Sequence, residues 1–378
     1  MKILNGTVFL PDQGFVEADL ELDRDTIQAI HPRIAQTPTT PGDVDATGLL
    51  VLPGLVDVHL HGAMGADTMD AAPNSLKAIE DYEVRHGVTT ILPTTMTEPK
   101  EKIDQALKAA AQYVAQNPDT AIRGMHLEGP CISPQKKGAQ DEKNIQTPSA
   151  EQVRHWLAIG NHLPKLITIA PEQPGALNCI REMANDIHAS IGHTSANYEE
   201  AKAGFKSKAD HVTHLYNAMP PFTHKEPGVI GAAVEAQPYV ELICDGKHVK
   251  PAAILAAFRL FDHICLISDS CSATGMPEGQ YKLGTQDIFV TEEKDVARLT
   301  DGTTAASITN LYDCMLRAID FGIPAETAIN AASLNPAKSV GLDDLVGSIE
   351  VGKRADLLIV DREYNLKVVL QGGQTLKK

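Results

Sequence analysis

The sequence predicts an α/β protein: a (β/α)8 barrel of the TIM type carrying a small β-sandwich domain formed by both chain ends. Three observations predict it. Eight short β-rich runs alternate with helical stretches through the middle of the chain. The two ends share an alternating apolar pattern of their own. The side chains capable of chemistry fall at the C-terminal ends of the β-rich runs, where barrel active sites are built.

At the N-terminus, Val8, Leu10, Leu20, Leu22, Ile27 and Ile30 alternate with polar positions between turn signals such as Asn5-Gly6 and Pro11-Asp12. This reads as short antiparallel strands. Ala355 to Val360 and Lys367 to Leu370, separated by Asp361 to Asn365, supply partner strands from the other end. Residues 1–52 together with 345–378 are therefore expected to form the small domain, and 53–344 the barrel.

The eight barrel runs are Leu55–His61, Thr89–Pro93, Ala121–Leu127, Lys165–Ala170, Ile187–Ile191, His211–His214, Val240–Cys244 and Ile264–Ser268. Between them, Asn74 is read as the cap of a helix ending at Gly87, Glu98 to Gln116 as an Ala/Lys-rich amphipath, and Pro251 as the start of a helix to Phe261. Ile308–Phe321 and Ala325–Ala332 complete the ring. The stretch Thr274–Glu293 is polar and Gly-rich and predicts no element. No Gly-rich dinucleotide fingerprint follows any strand, which argues against a doubly wound open sheet.

The 378 residues can bury a large core, and with 43% hydrophobic and 22% charged residues the composition is that of a folded soluble chain. A net charge of -16 argues against a partner held through nucleic-acid phosphates or anionic lipid. No segment reaches the roughly 18 apolar residues of a spanning helix, and the N-terminal residues lack a secretory apolar region, so a cytoplasmic protein is expected. The six cysteines contain no C-x-x-C pair and are read as reduced thiols. Cys131 stands apart because it lies close to a candidate ligand.

Those candidates are His59, His61, Glu128, His193, His214 and Asp269. In His59-Leu60-His61 the strand period of two places both imidazoles on one face, although two strand-end histidines bound to backbone carbonyls fit the same pattern. Glu128 follows an apolar strand and precedes Gly129-Pro130, a sharp turn that fixes its carboxylate over the barrel mouth. His193 and His214 each follow one further strand, and Asp269 ends the eighth. Singly each has a structural reading, a rim histidine or a helix cap. Histidines from three strands with a Glu and an Asp from two others point to a metal site. His188 and His211 are read as core or rim residues. An Asp beside a cation stays ionised and can accept a proton from water, the base that a hydrolase needs.

The motifs together resemble one family, the N-acetylglucosamine-6-phosphate deacetylases of the amidohydrolase superfamily, over essentially the whole chain. Pro53 to Gly62 matches the superfamily's first-strand motif. The narrower signals are Leu127-Glu128-Gly129-Pro130, Lys137-Gly138-Ala139, Gly192-His193-Thr194, Thr213 to Met219, Glu226-Pro227-Gly228 and Asp245 to Val249. The resemblance implies a metallo-hydrolase barrel acting on a linear amide, with acetate and glucosamine-6-phosphate as products, serving amino-sugar catabolism and cell-wall recycling. The galactosamine epimer is the alternative substrate; a cyclic amide or a purine is a more distant one.

It further implies that Glu128, His193 and His214 hold the principal metal and that His59 and His61 complete a second site kept by some members. One or two divalent ions per subunit follow, zinc or iron first, with manganese or cobalt also suited to these donors. Asp269 is implied as the base that takes water's proton and returns it to the departing amine. Ala139, Asn217, Ala218, Lys225 and His248 are implied to contact the sugar phosphate, with Ala305, Ala306 and Ser307 closing over the sugar. A homodimer is implied, its neighbouring subunit approaching the phosphate site. Three positions depart from the family pattern: Lys225 stands where Arg is usual, Gln140 where many members carry His, and Ala305-Ala306 where Gly-Ser is common. A lysine offers the phosphate one mobile ammonium rather than a bidentate fork.

Overall fold

The computed structural model describes residues 1–291 and 296–376. The remaining residues include 292–293 of the stretch read as Thr274–Glu293 and 377–378 of the C-terminal segment, which lie outside the described residues. Eight parallel strands run β1 (Leu55–Leu60), β2 (Val88–Thr95), β3 (Met125–Glu128), β4 (Pro164–Ile169), β5 (His188–Ile191), β6 (His211–Val212), β7 (Tyr239–Ile243) and β8 (Ile264–Ile267). Each pairs with its neighbour in sequence. Apolar runs buried on both faces, with a helix following each strand, leave a parallel barrel as the arrangement that satisfies both.

The ring closes between β1 and β8 through a side chain. Asp57 accepts the Ser268 N–H at 3.2 Å and the His59 N–H at 3.1 Å. Beyond it the two strand ends meet backbone to backbone, Asp269 N–H to His59 O at 2.9 Å and His61 N–H to Ser270 O at 2.7 Å. The seam therefore fixes the first histidine pair against the last carboxylate.

Every expected barrel strand is present, with shifted ends. The third begins at Met125 rather than Ala121; Ile122 makes only an isolated bridge to Ile91. The first helix (Pro73–Arg85) is not capped by Asn74: Ala72 occupies the cap position and Pro73 the first turn, where its missing N–H costs nothing. The second helix starts at Lys100 because Pro99 precedes it and because Glu98 is withdrawn into the interior, where it accepts the Thr285 N–H at 2.6 Å. The helix Leu311–Asp320 starts after Asn310, whose side chain accepts the Asp313 N–H at 2.9 Å.

The chain ends join in one continuous sheet that curls back on itself, so the sandwich takes the form of a single folded sheet. Lys2–Leu10 pairs antiparallel with Gly14–Asp23, which pairs with Thr26–Pro32; the C-terminal strand Leu357–Val360 adds beside Leu50–Pro53. The curl carries Ile27 to the segment before that C-terminal strand, with Ile27 N–H on Lys353 O at 2.9 Å. Not all pairing is antiparallel as expected: Val44–Asp45 and Leu50–Pro53 lie parallel to Lys2–Leu10, because the connection through residues 33–43 recrosses the sheet before returning. Alternate residues serve two cores. Val51, Leu357 and Ile359 face the small domain's core with Leu20 and Ile27, while Leu50, Leu52, Leu358 and Val360 pack onto the barrel.

The stretch read without structure contains strands Gly279–Leu283 and Gln286–Val290, and Arg298–Leu299 pairs with the second. This small sheet is tied over the barrel mouth: Gly284 N–H donates to Asp67 at 3.0 Å, and Ser272 Oγ–H donates to Lys282 O. Among the described residues no helix is long and apolar enough to cross a membrane.

Candidate metal centre and active site

Each candidate ligand leaves its strand at the same end of the barrel. His193, His214 and Asp269 do so with left-handed backbone, at φ of 44°, 28° and 49°. Non-glycine residues held there cost of order 1–3 kcal/mol each and persist only where neighbouring structure enforces them. Enforcement is visible at His193: a Cβ on the preceding Gly192 would lie 2.4 Å from Thr213 Cβ, so only glycine lets the fifth and sixth strand ends approach this closely. Below the ligands runs a buried hydroxyl chain. His126 Nε2 meets Thr168 Oγ1 at 2.8 Å, Thr168 meets Thr213 at 2.8 Å, and Ser190 meets Thr213 at 2.5 Å.

The other five side chains gather around Glu128. His193 Nε2 and His214 Nε2 each lie 3.1 Å from its Oε1 and 3.0 Å from each other. On the other side His61 Nε2 is 3.3 Å from Oε2 and His59 Nε2 is 3.4 Å from Oε1. Asp269 Oδ1 stands 3.3 Å from His61 Nε2 and 3.5 Å from His59 Nε2. Two clusters of potential ligands thus share one glutamate: Glu128 with His193 and His214, and Glu128 with His59 and His61.

Proton bookkeeping shows that the donor set fits a cation. Three histidines spend their Nδ1–H elsewhere: His59 on the Glu241 carboxylate at 2.9 Å, His193 on Lys136 O at 2.9 Å, and His61 on Thr94 O at 3.3 Å. Those partners only accept, so a neutral ring presents the lone pair of Nε2 to the interior. There it faces carboxylate oxygens and another imidazole, and His59 Nε2 has no hydrogen-bond partner among the described residues. Lone pairs facing carboxylates at about 3 Å are held together by a cation, and imidazole with carboxylate is a donor set for divalent ions.

The local electrostatics show how strongly the cluster attracts positive charge, whether a proton or a metal ion. Burial opposes charge on His59 and His61, but Glu128, Glu241 and Asp269 around His59 raise it well above the imidazole range, and Asp269 and Glu128 bring His61 to about 9. Burial likewise opposes ionisation of Glu128 and Asp269, yet the surrounding imidazoles, His59 foremost, hold both carboxyls below their ordinary range. Asp269 is therefore ionised near neutrality, as a proton acceptor must be. His126 is kept neutral by burial and by the charge of His59.

A cavity of about 250 Å³ opens above the ligands. Of the residues expected to meet substrate, Ala139, Asn217, Ala218, His248 and Ala306 line it. Ala305 and Ser307 are buried behind the lining. Ser307 props Asp269, its N–H on Asp269 O at 2.7 Å and its Oγ–H on Ser268 O at 2.6 Å. Lys225 is not brought to the cavity: it is exposed on the loop before helix Gly228–Ala236, near the exposed Phe222. His188 and His211 bind Asp210 at the N-terminal ends of β5 and β6, away from the mouth. Cys131 is buried, and burial pushes its thiol up to about 12, so it presents no thiolate to the site.

Sequence reasoning missed several members of the site. Glu241 is fully buried in β7 and holds both His59 and, at 3.2 Å, the His214 N–H. Its signal was available, a single carboxylate inside an otherwise apolar strand. Asp245 accepts His248 Nδ1–H at 2.6 Å and, with burial opposing, raises the imidazole's tendency to be charged; His248 Nε2 has no hydrogen-bond partner among the described residues. Gln140 bridges the Thr97 N–H and Glu128, each at 2.6 Å.

Comparison with known proteins places this geometry among relatives. The amidohydrolase family description matches residues 50–376. An N-acetylglucosamine-6-phosphate deacetylase of Bacillus subtilis is 39% identical over 86% of this chain and 84% of its own. An N-acetylgalactosamine-6-phosphate deacetylase of Escherichia coli O157:H7 is 32% identical over 98% of each chain. A mutant N-acetyl-D-glucosamine-6-phosphate deacetylase of Mycobacterium smegmatis, solved with N-acetyl-D-glucosamine-6-phosphate, superposes with a TM-score of 0.92 at 30% identity, over 99% of this chain and 98% of that one.

Proposed function

The chain belongs to the amidohydrolase family, and from that premise we propose that it is the hydrolase that removes the acetyl group of N-acetylglucosamine-6-phosphate, giving glucosamine-6-phosphate and acetate. The observation that carries the reading is the convergence of four imidazole Nε2 atoms and two carboxylates beneath a small cavity at the barrel mouth. Glu128, His193 and His214 would hold one divalent ion, and His59 and His61 with Glu128 a second; zinc or iron suits these donors best, with manganese or cobalt also accommodated. A bound ion supplies Lewis acidity, activating water and polarising the amide carbonyl.

The chain's own residues do the rest. Asp269, ionised and propped by Ser307, accepts the proton of the attacking water and delivers it to the sugar nitrogen as the carbon–nitrogen bond breaks. Asp245 favours the charged form of His248, a cavity-lining residue whose Nε2–H would then be a donor for an anionic or hydroxyl oxygen of the substrate. Asn217 and Ala218 border the same space, the latter with left-handed backbone at φ 49°. Lys225, exposed with Phe222 on the loop before helix Gly228–Ala236, would act in a homodimer in which subunits approach each other's phosphate sites. Six cysteines without a disulfide fit a reducing, cytoplasmic setting. Light scattering of the purified chain tests the dimer.

A second reading, deacetylation of the galactosamine epimer, is favoured by one observation: the relative of that activity matches over 98% of both chains. Metal-stripped protein reloaded with zinc, iron(II) or manganese and offered both epimers and unphosphorylated N-acetylglucosamine decides between them. Metal-dependent acetate release favouring the phosphorylated glucosamine supports the proposal. Preference for the epimer moves the substrate, and no release from any of the three overturns both readings.

A further inference from the structure

Gln140 is 3% exposed and touches the centre at one point, the carboxylate shared by both ligand clusters. Its orientation is forced. The Thr97 N–H can only donate, so it takes Gln140 Oε1 at 2.6 Å, and Nε2 is left facing Glu128 Oε2, also at 2.6 Å. The two oxygens of Glu128 are thereby made unequal. Oε1 faces His193 and His214 at 3.1 Å and His59 at 3.4 Å with no amide on it, whereas Oε2, the oxygen nearest His61, already accepts a hydrogen bond from a neutral donor.

We propose that Gln140 is a positioning residue that sets the two metal loci apart: it leaves Oε1 of Glu128 free toward the His193/His214 locus and encumbers Oε2, the oxygen that faces His61 of the other locus, so that the first ion binds more tightly than the second. The inference rests on the metal-centre reading above and deepens it. A carboxylate oxygen has two acceptor directions, and an N–H in one of them draws away charge that a metal would otherwise use. The residue acts through Glu128, with no hydrogen bond to either locus's histidines among the described residues.

The test is a calorimetric titration of metal-stripped protein with zinc alone, backed by metal analysis after gel filtration, on the wild type, Gln140→Ala and Gln140→Met. The methionine variant keeps the volume should alanine compromise folding. The quantity read is the ratio of the second dissociation constant to the first. Losing the amide weakens the first ion and releases Oε2 to the second, so the ratio is expected to fall about 10- to 100-fold, the usual scale for groups behind a ligand. A general loosening of the site would weaken both ions together; an unchanged or larger ratio in folded variants therefore overturns the proposal while leaving the metal centre standing. A wild type that takes up no zinc overturns the metal-centre reading and this inference with it.

Discussion

The barrel carries histidine–carboxylate clusters at both ends, and only one of them has the makings of a metal centre. At the N-terminal end Asp210 is met by His188 Nδ1 at 2.6 Å and His211 Nδ1 at 2.8 Å, one imidazole on each oxygen. Each Nδ1 is matched to its own carboxylate oxygen, and the Asp210 side chain is 44% exposed to water. At the mouth the same residue types are turned around. Their Nδ1 protons go outward to Glu241, Lys136 O and Thr94 O, and their Nε2 atoms face Glu128 and Asp269 in a nearly dry interior. Ligand type and proximity are alike in the two places, and Nδ1 is spent in both; what differs is that Asp210 itself takes both Nδ1 atoms, whereas at the mouth Nδ1 is spent outside the cluster and Nε2 is left for the shared carboxylates. The partners behind a histidine, more than the histidine, define the centre.

The comparison breaks most sharply at the shared carboxylates. Glu128→Ala removes a ligand from both loci and is expected to bring bound metal to background and acetate release down by about 10⁴-fold or more. Asp210→Ala should leave metal content unchanged and turnover within about twofold. Metal analysis and rate measurement on the pair check this; equal metal loss in both variants would erase the distinction. Next in size is Asp269→Asn. The amide can neither accept nor return the proton, so kcat should fall about 10²- to 10⁴-fold while metal content holds. A variant turning over near the wild-type rate would remove Asp269 from the chemistry.

Glu241→Gln probes the partner behind the ligand. The neutral amide can still accept from His59, but it no longer strengthens that imidazole's basicity, and affinity for the ion on the His59 side should drop about 10- to 100-fold with little change in fold. Competition with a chromophoric chelator measures it; unaltered affinity would mean that the outward hydrogen bond of His59 is ornamental.

How far such distinctions can be read from sequence depends on how local their cause is. The strands of the barrel were legible because parallel strands buried on both faces are written as short apolar runs, and the ligands because each stands at the end of such a run or just past it, as Glu128 does at the end of β3 and His193 after Ile191. Glu241 was less legible because its meaning lies in His59, 182 residues away. Gln140 stood out as a departure, yet nothing local tells that its amide is gripped by Thr97 and aimed at Glu128. The parallel placement of Leu50–Pro53 and the sheet over the mouth likewise depend on where distant edges come to rest. Lys225 shows the reverse: a motif placed it near substrate, and the single chain leaves it in solvent.

The smallest expected effect tests the quiet end of the comparison. Burial acts to raise the Asp210 carboxyl, but hydrogen bonds and charge from His188 and His211 hold it far below its ordinary range. A carboxyl depressed on folding stabilises the folded state above its unfolded pKa, about 3.9, and this contribution shrinks as the pH falls through that value and on toward the folded one. Because Asp210 and His188 are each more than a third exposed, screening limits the gain to about 1 kcal/mol or less. Asp210→Asn should therefore lower Tm by only about 1 °C at pH 7, and the gap from wild type should narrow as the pH falls below about 4. Calorimetric melting at several pH values measures both features. A gap that widened on acidification would reverse the sign of the linkage, and would mean that the carboxylate is tolerated in the fold rather than stabilised by its two imidazoles.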